Sequence, residues 1–367
     1  MRRMLLVVTA AMVIALMMVA MALPAFAGGA GDDEEDNESG ASGAPTRNGQ
    51  IVFRRWFDPD HRKGALFTMN PDGSHVRQIT HPPEGWRDDA PAWSPDGERV
   101  AFHRQRIDES TSRIMLLNPE TGSTRQVTHS IPQGKQCTSQ CLGGLDPAFS
   151  PDGDSLSFHR LIRPDKPCCE IEGIWIIGTD GSDPHQLTNV DPKLPAVFAD
   201  WGSAFSPDGE MLVFDRLRKA DEHHAIFVQS LDSSGSPEDA HRITPWKKNC
   251  QDHPEFSSDG ELVLFRCLPE GEEGPSNLYW VHPDGTGLHA LTHAPADKQY
   301  GGPGFSPSFH KGEGWITVGR AGGYGKEGNA DVFRILIEDG KVVRKVNLTK
   351  TEKWDSAPAW GTHPPVG

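Results

Sequence analysis

Asp88 with Asp89, Asp146, Asp200, Asp252 with His253, and Asp355 fall at matching places along the chain, four to six residues before a recurring Ser or its counterpart. Tyr300 stands in the sixth such place. Carboxylates gathered by a repeated unit repel one another. A bound Ca²⁺, or a Lys or Arg of a peptide ligand, would relieve that repulsion, because Ca²⁺ takes several oxygen ligands and an acidic cleft concentrates cations. On this reading Asp89, Asp146, Asp200, Asp252, His253, Tyr300 and Asp355 form a ligand-binding ring, with a structural Ca²⁺ as its one conceivable cofactor. A second reading stands beside it. Five repeats place an Arg two residues past a strand Phe or Val, at Arg55, Arg104, Arg160, Arg216 and Arg320. Each Asp could close onto such an Arg as a structural latch held by charge-assisted hydrogen bonds. The two readings are compatible where only one oxygen of each carboxylate is used.

Other chemistry is less well supported. Of the 16 histidines, His103 and His159 occupy equivalent positions, but no His-x-His, His-Glu-x-x-His or zinc-type Cys–His spacing occurs. No Gly-x-Ser-x-Gly elbow is present. The six cysteines suit disulfides in an oxidising compartment. Cys250 and Cys267 flank one hairpin with nearly equal arms and should face each other. Cys137 and Cys141 precede the equivalent hairpin two repeats earlier and Cys168 and Cys169 follow it, which leaves their pairing open.

The elements that must position these residues recur every 49 to 56 residues. Each copy opens on a short apolar stretch and a turn, as in Ala92-Trp93-Ser94-Pro95-Asp96-Gly97, Ala148 to Gly153, Ala204 to Gly209 and Glu255 to Gly260, with a degraded copy from Gly304 to Pro307. Pro presets φ, Asp bonds its own backbone and Gly accepts a positive φ, so the turn joins two strands tightly. A second strand follows (Val100-Ala101-Phe102, Leu212-Val213-Phe214), then a third, then a closing Leu-Thr or its like, found six times from Ile79-Thr80 to Leu348-Thr349. The body begins on a second strand, Ile51-Val52-Phe53, and finishes on a first strand, Ala357 to Trp360. The two ends therefore complete one unit. This predicts an all-β fold, a six-bladed β-propeller of four-stranded blades closed by pairing the C-terminal strand with the N-terminal strand.

The Trp/Phe-Ser-Pro-Asp-Gly hairpin with its trailing Leu-Thr resembles the repeat of TolB-like propellers over roughly residues 50–361. The resemblance implies the fold and a channel of the kind that receives peptide segments and cations. TolB carries a separate α/β domain ahead of its propeller, and fewer than 25 residues separate the first strand from the expected leader, so that domain is not expected. Related propellers in prolyl oligopeptidases add a hydrolase domain that this sequence does not match. Oligogalacturonate-lyase propellers use His residues with a metal, which keeps a carbohydrate-active reading open.

Residues 1–27 read as a signal peptide: Arg2 and Arg3, an apolar run, then Ala25-Phe26-Ala27. An uncleaved anchor is the alternative and the one expected membrane contact. Residues 28–47, with Asp32, Asp33, Glu34, Glu35, Asp36 and Glu38, read as an acidic linker that cannot bury apolar surface, and 48–364 as the propeller. The formal net charge of −15 argues against nucleic acid. The expectation is a monomeric, non-enzymatic, periplasmic or secreted propeller that binds a protein or peptide at an acidic channel mouth. A lyase or hydrolase using the same mouth is the alternative.

Overall fold

The computed structural model describes residues 48–108, 111–128, 143–160, 173–188, 198–218, 220–232, 239–268, 275–295, 298–321 and 329–366. The expected signal peptide, the acidic linker and Cys137, Cys141, Cys168 and Cys169 lie outside these residues. Among the described residues, no helix is long and apolar enough to cross a membrane.

Strands β1 (Ile51–Trp56), β2 (Gly64–Met69) and β3 (Arg77–Gln78) come first. Four separate four-stranded antiparallel sheets follow. They are β4 (Trp86–Trp93) to β7 (Thr124–Gln126) through β5 (Val100–Arg106) and β6 (Ser112–Leu117), and β8 (Leu145–Phe149) to β11 (His185–Gln186) through β9 (Ser155–Arg160) and β10 (Gly173–Gly178). Next are β12 (Phe198–Phe205), β13 (Met211–Arg218), β14 (His223–Ser230) and β15 (His241–Arg242), then β16 (Cys250–Phe256), β17 (Val263–Cys267), β18 (Asn277–Val281) and β19 (His289–Ala290). The last are β20 (Gln299–Phe305), β21 (Gly314–Ala321), β22 (Ala330–Glu338), β23 (Lys341–Asn347) and β24 (Trp354–Trp360). β24 returns to pair antiparallel with β1, Ile51 opposite Trp360 and Trp56 opposite Trp354. One parallel bridge, Ala330 to Trp354, links the β20–β23 repeat to this closing repeat, so the two share one eight-stranded sheet.

Local chemistry explains why each repeat folds alike. In the first hairpin the Ser Oγ donates to the Asp carboxylate two residues on, at Ser94, Ser150, Ser206 and Ser257, and receives the backbone N–H five residues on. The trailing Thr has an equally defined task. The hydroxyls of Thr80, Thr128, Thr188, Thr244, Thr292 and Thr349 each accept the N–H of a third-strand residue, from Leu66 through to Val332. Leu-Thr is thus a strand clasp, which satisfies a buried N–H where the fourth strand ends.

The core is distributed between repeats. Val52, Leu66 and Ile79 of the first pack on Trp93, Val100 and Phe102 of the second, and equivalent apolar clusters join each later repeat to the next. The last cluster sets Val332 and Leu348 against Ile51, Phe53 and Trp360 and so closes the circuit. Beyond β24 the chain crosses to the second repeat: His363 stacks on Trp93 and bonds Gly97 O, while Val366 N–H donates to Asn70.

Candidate functional site

Each innermost strand breaks its ladder at one place. The register skips between Asp89 and Ala92, Leu145 and Ala148, Trp201 and Ser203, Gln251 and Glu255, and Gly301 and Gly304, and β24 slips against β1 in the same way. A left-handed residue marks each bulge: Ala90, Asp146, Gly202, His253 (after a left-handed Asp252), Gly302 and Ala357. Pro follows in five of the six, at Pro91, Pro147, Pro254, Pro303 and Pro358, with Ser203 in the other. Proline has no N–H to donate, so the ladder is interrupted there and the strand bends. That x-Pro signal was readable in the sequence and locates the bulges.

The bulge separates two layers of side chains. In the layer nearer the strand start, Asp88, Asp200 and Asp355 stand opposite Arg104, Arg216 and Arg55. Each pair is bidentate at 2.6 and 2.8 Å, with every Asp side chain 0% exposed. Both oxygens of Asp200 and Asp355 thus bond an Arg, and Asp355 also accepts the Thr351 hydroxyl. The other repeats fill this position differently. Cys250 stands opposite Cys267 and the two form a disulfide, so a covalent bond replaces the ion pair. Tyr300 stands opposite Arg320, buried at 2% exposure, with the guanidinium over its ring. Arg160 lies over Trp175, and Gly144 precedes the Leu145–His159 pair.

The second layer lines the channel and is irregular. His253 bridges two repeats that are not neighbours: its Nε2 lies 3.4 Å from Asp146 and its Nδ1 3.3 Å from Asp252. The intervening repeat passes beneath with Gly202, whose φ is +43 and where a Cβ would stand 3.1 Å from the His253 Cα. A side chain there would press on the bridge and would have to adopt a left-handed conformation that glycine takes freely. Asp252 also accepts the Gly302 N–H at 2.7 Å and faces Arg266 at 3.3 Å, and its own N–H donates to Asp215, which holds His224. Asp89 pairs with Arg54, which also donates to Ser356. His253 remains 48% exposed and Asp146 19%, as expected of groups facing a channel.

Charge follows from this packing. Burial pulls the His253 pKa down, but Asp146 and Asp252 more than offset it and hold it well above the usual imidazole value. Burial raises Asp146 and Asp252, but His253 drives Asp146, and Arg266 with His253 drives Asp252, below the usual carboxylate range. Burial lowers the His103 pKa, and its Nδ1 accepts the Asp146 N–H at 3.2 Å. Two residues past His253 lies Glu255, where the equivalent positions hold Ala92, Ala148, Ala204, Gly304 and Ala359. Burial pushes its pKa up to about 8. A Cβ at Gly304 would come within 2.9 Å of its Oε2, so the smallest residue faces the largest. Glu255, Asp215 and Arg266 were absent from the sequence-based set. The signal that could have found Glu255 is its place as the one carboxylate in an otherwise small-residue position. Among the described residues, no group of three or more His, Cys, Asp or Glu is placed to hold a metal ion.

No family model matches the chain. An uncharacterized peptidase, YuxL of Bacillus subtilis, is 25% identical over 226 residues, which is 52% of this chain and 31% of that protein. The chain thus spans under a third of that relative. The match corrects the expectation of a non-enzymatic chain: the shared stretch belongs to a protein named a peptidase, so building a chain from these repeats does not mark it as non-catalytic. Among solved structures, TolB from Acinetobacter baumannii superposes with a TM-score of 0.61 at 20% identity, covering 85% of this chain and 66% of that one. A putative TolB from Agrobacterium tumefaciens superposes at 0.54 and 18% identity, covering 85% and 98%. With the strand order and the closing pair of β24 and β1, these likenesses give the fold: the chain is an all-β propeller of the TolB-like kind.

Proposed function

We propose that the chain is a six-bladed propeller acting outside the cytoplasm, and that it receives a segment of an extended polymer, a peptide foremost, in its channel at His253. Six Thr clasps and six inter-repeat apolar clusters support the blade count. The Cys250–Cys267 bond supports an oxidising compartment. The observation that carries the site is the cross-channel clasp of His253 between Asp146 and Asp252, because its groups come from repeats that are not neighbours and serve no strand pairing. A peptide ammonium or guanidinium can take the place of the imidazolium between the two carboxylates. The test is to pan a random dodecapeptide library against the wild type and an Asp146→Asn/Asp252→Asn variant. Basic peptides enriched on the wild type alone are expected. The same peptides enriched on both proteins would remove the clasp from the function.

Glu255 favours a second reading at the same site, acid–base cleavage of the bound polymer. A carboxyl with its pKa near 8 is protonated at neutral pH and can donate a proton, beside carboxylates that stay ionised. Peptides and polysaccharides incubated with the protein and analysed by mass spectrometry should yield shorter products, lost in Glu255→Gln. Intact polymers throughout would eliminate the catalytic reading and leave the binding one.

A further inference from the structure

Residues of an inner strand alternate in direction past the bulge, and Glu255 stands on the channel side. Pro254 and Phe256 beside it are buried while it is half-buried, and Phe256 packs into the apolar cluster between the fourth and fifth repeats. Glu255 comes two residues after His253, so at most about 7 Å of backbone separates it from the clasp. Among the described residues, no cation forms an ion pair with it. Leu264 stands opposite on β17, Ala204 holds the equivalent place on β12, and β20 and β21 offer Gly301, Gly302, Gly304 and Thr317, whose hydroxyl donates to Gly304 O. The titratable groups nearest along its own strand are Asp252 and His253, engaged with Arg266 and Asp146. Burial therefore acts on Glu255 with only the Phe305 N–H to offset it, and the carboxyl keeps its proton at neutral pH.

An extended ligand sets alternate side chains on one side, about 6–7 Å apart. When its first cation fills the clasp, the side chain two residues along comes to Glu255. A second cation there would favour the ionised carboxyl over the protonated one, and in a half-buried site that attraction is weakly screened. We propose that Glu255 is a second cation subsite of the channel, matched to a ligand with basic side chains two residues apart, and that filling it transfers the carboxyl proton to solvent. The proposal rests on the clasp reading above. The proton passes to the buffer, and the carboxylate left behind pairs with the incoming guanidinium or ammonium.

The test uses three end-capped peptides, Gly-Arg-Gly-Arg-Gly, Gly-Arg-Arg-Gly-Gly and Gly-Arg-Gly-Gln-Gly, titrated into the wild-type protein by calorimetry at pH 7 in phosphate and in Tris. The different ionisation heats of the two buffers count the protons exchanged. Any proton that His253 gives up on leaving the clasp is common to the three peptides and cancels between them. The first peptide should release about one proton more than the other two. Its affinity advantage over Gly-Arg-Gly-Gln-Gly should grow about tenfold between pH 7 and pH 9. Glu255→Gln should abolish both differences, with its melting temperature as the check on folding. Equal release by the three peptides, release that follows only the number of Arg residues, or extra release that persists in Glu255→Gln would each overturn the subsite and leave the clasp standing. Failure of all three to bind would overturn the clasp and the subsite together. The wild-type proton count decides the matter even if the variant fails to fold.

Discussion

Two layers of side chains lie within a few residues of each other on the same inner strands, and they obey different rules. The latch layer solves one problem in five of the repeats, fixing the start of the inner strand to the second strand. Asp–Arg does it three times, Cys250–Cys267 once and Tyr300–Arg320 once. The channel layer does not repeat: Arg54, His103, His159, Asp215, Arg266 and Gly319 hold one equivalent position on the second strands. Residues with a purely architectural task can be interchanged if geometry is kept. Residues that converge on one axis see each other from all sides, and only one of them can occupy the centre. His253 is the one that reaches a repeat two away, and the difference between the layers is what separates support from site.

The largest effect should come from breaking a latch. Asp200→Ala strands Arg216, whose side chain is 5% exposed, without its carboxylate. A loss of about 3–5 kcal/mol is expected, read as a shift of the denaturant midpoint, while basic-peptide binding to the folded protein persists. A loss below about 1 kcal/mol would mean that the latches are not structural. The fifth repeat sharpens the point. Reducing Cys250–Cys267, which closes a loop of 17 residues, should cost about 3 kcal/mol. Cys250→Asp with Cys267→Arg should recover part of it under reducing conditions, whereas Cys250→Ser with Cys267→Ser should not. Equal midpoints for the two double variants would show that the positions are not equivalent.

The contrast also explains what was legible in the sequence. Turn chemistry and the Leu-Thr clasp are local, so Ser94-Pro95-Asp96-Gly97 and Ile79-Thr80 announce their roles within a few residues. The closing of β24 on β1 followed from counting strands, and Cys250–Cys267 from equal hairpin arms. The division of the acids did not follow, because Asp88 and Asp89 are adjacent yet belong to different layers. One bulge residue decides which layer a carboxylate joins. Asp146, two places further along its strand than the Asp88 position, reaches the channel, while Asp200 does not. The bridging of His253 to a repeat two away depends on channel width, which no single repeat encodes.

Acid–base behaviour should divide along the same line. Glu255 has a raised pKa, so the folded state holds its proton more tightly than the unfolded state does. Stability should therefore fall as pH rises from about 4.5 and level off above about 8. Glu255→Gln should flatten that slope and stabilise the protein at pH 8.5, by about 2 kcal/mol given partial solvent access. A slope unchanged in the variant would place the titration elsewhere.

His253 should produce the smallest effect on stability and the clearest one on binding. Its folded-state pKa lies above the unfolded value near 6.5, so its contribution is complete below that value and is lost as pH rises through the higher one. Asp146 and Asp252 are depressed, and theirs is present above about 4 and lost on acidification. The clasp is then tightest between these limits. His253→Gln should cost about 1 kcal/mol at pH 5.5 and progressively less at alkaline pH. Neutralising His253 removes the imidazolium that a ligand cation must displace, so a basic peptide of fixed charge should bind the wild type more tightly at pH 9 than at pH 6. Titration calorimetry at both pH values checks this, with His253→Gln expected to remove the difference. Tighter binding at pH 6 would show that the ligand cation does not compete with the imidazolium, and would overturn its displacement from the clasp.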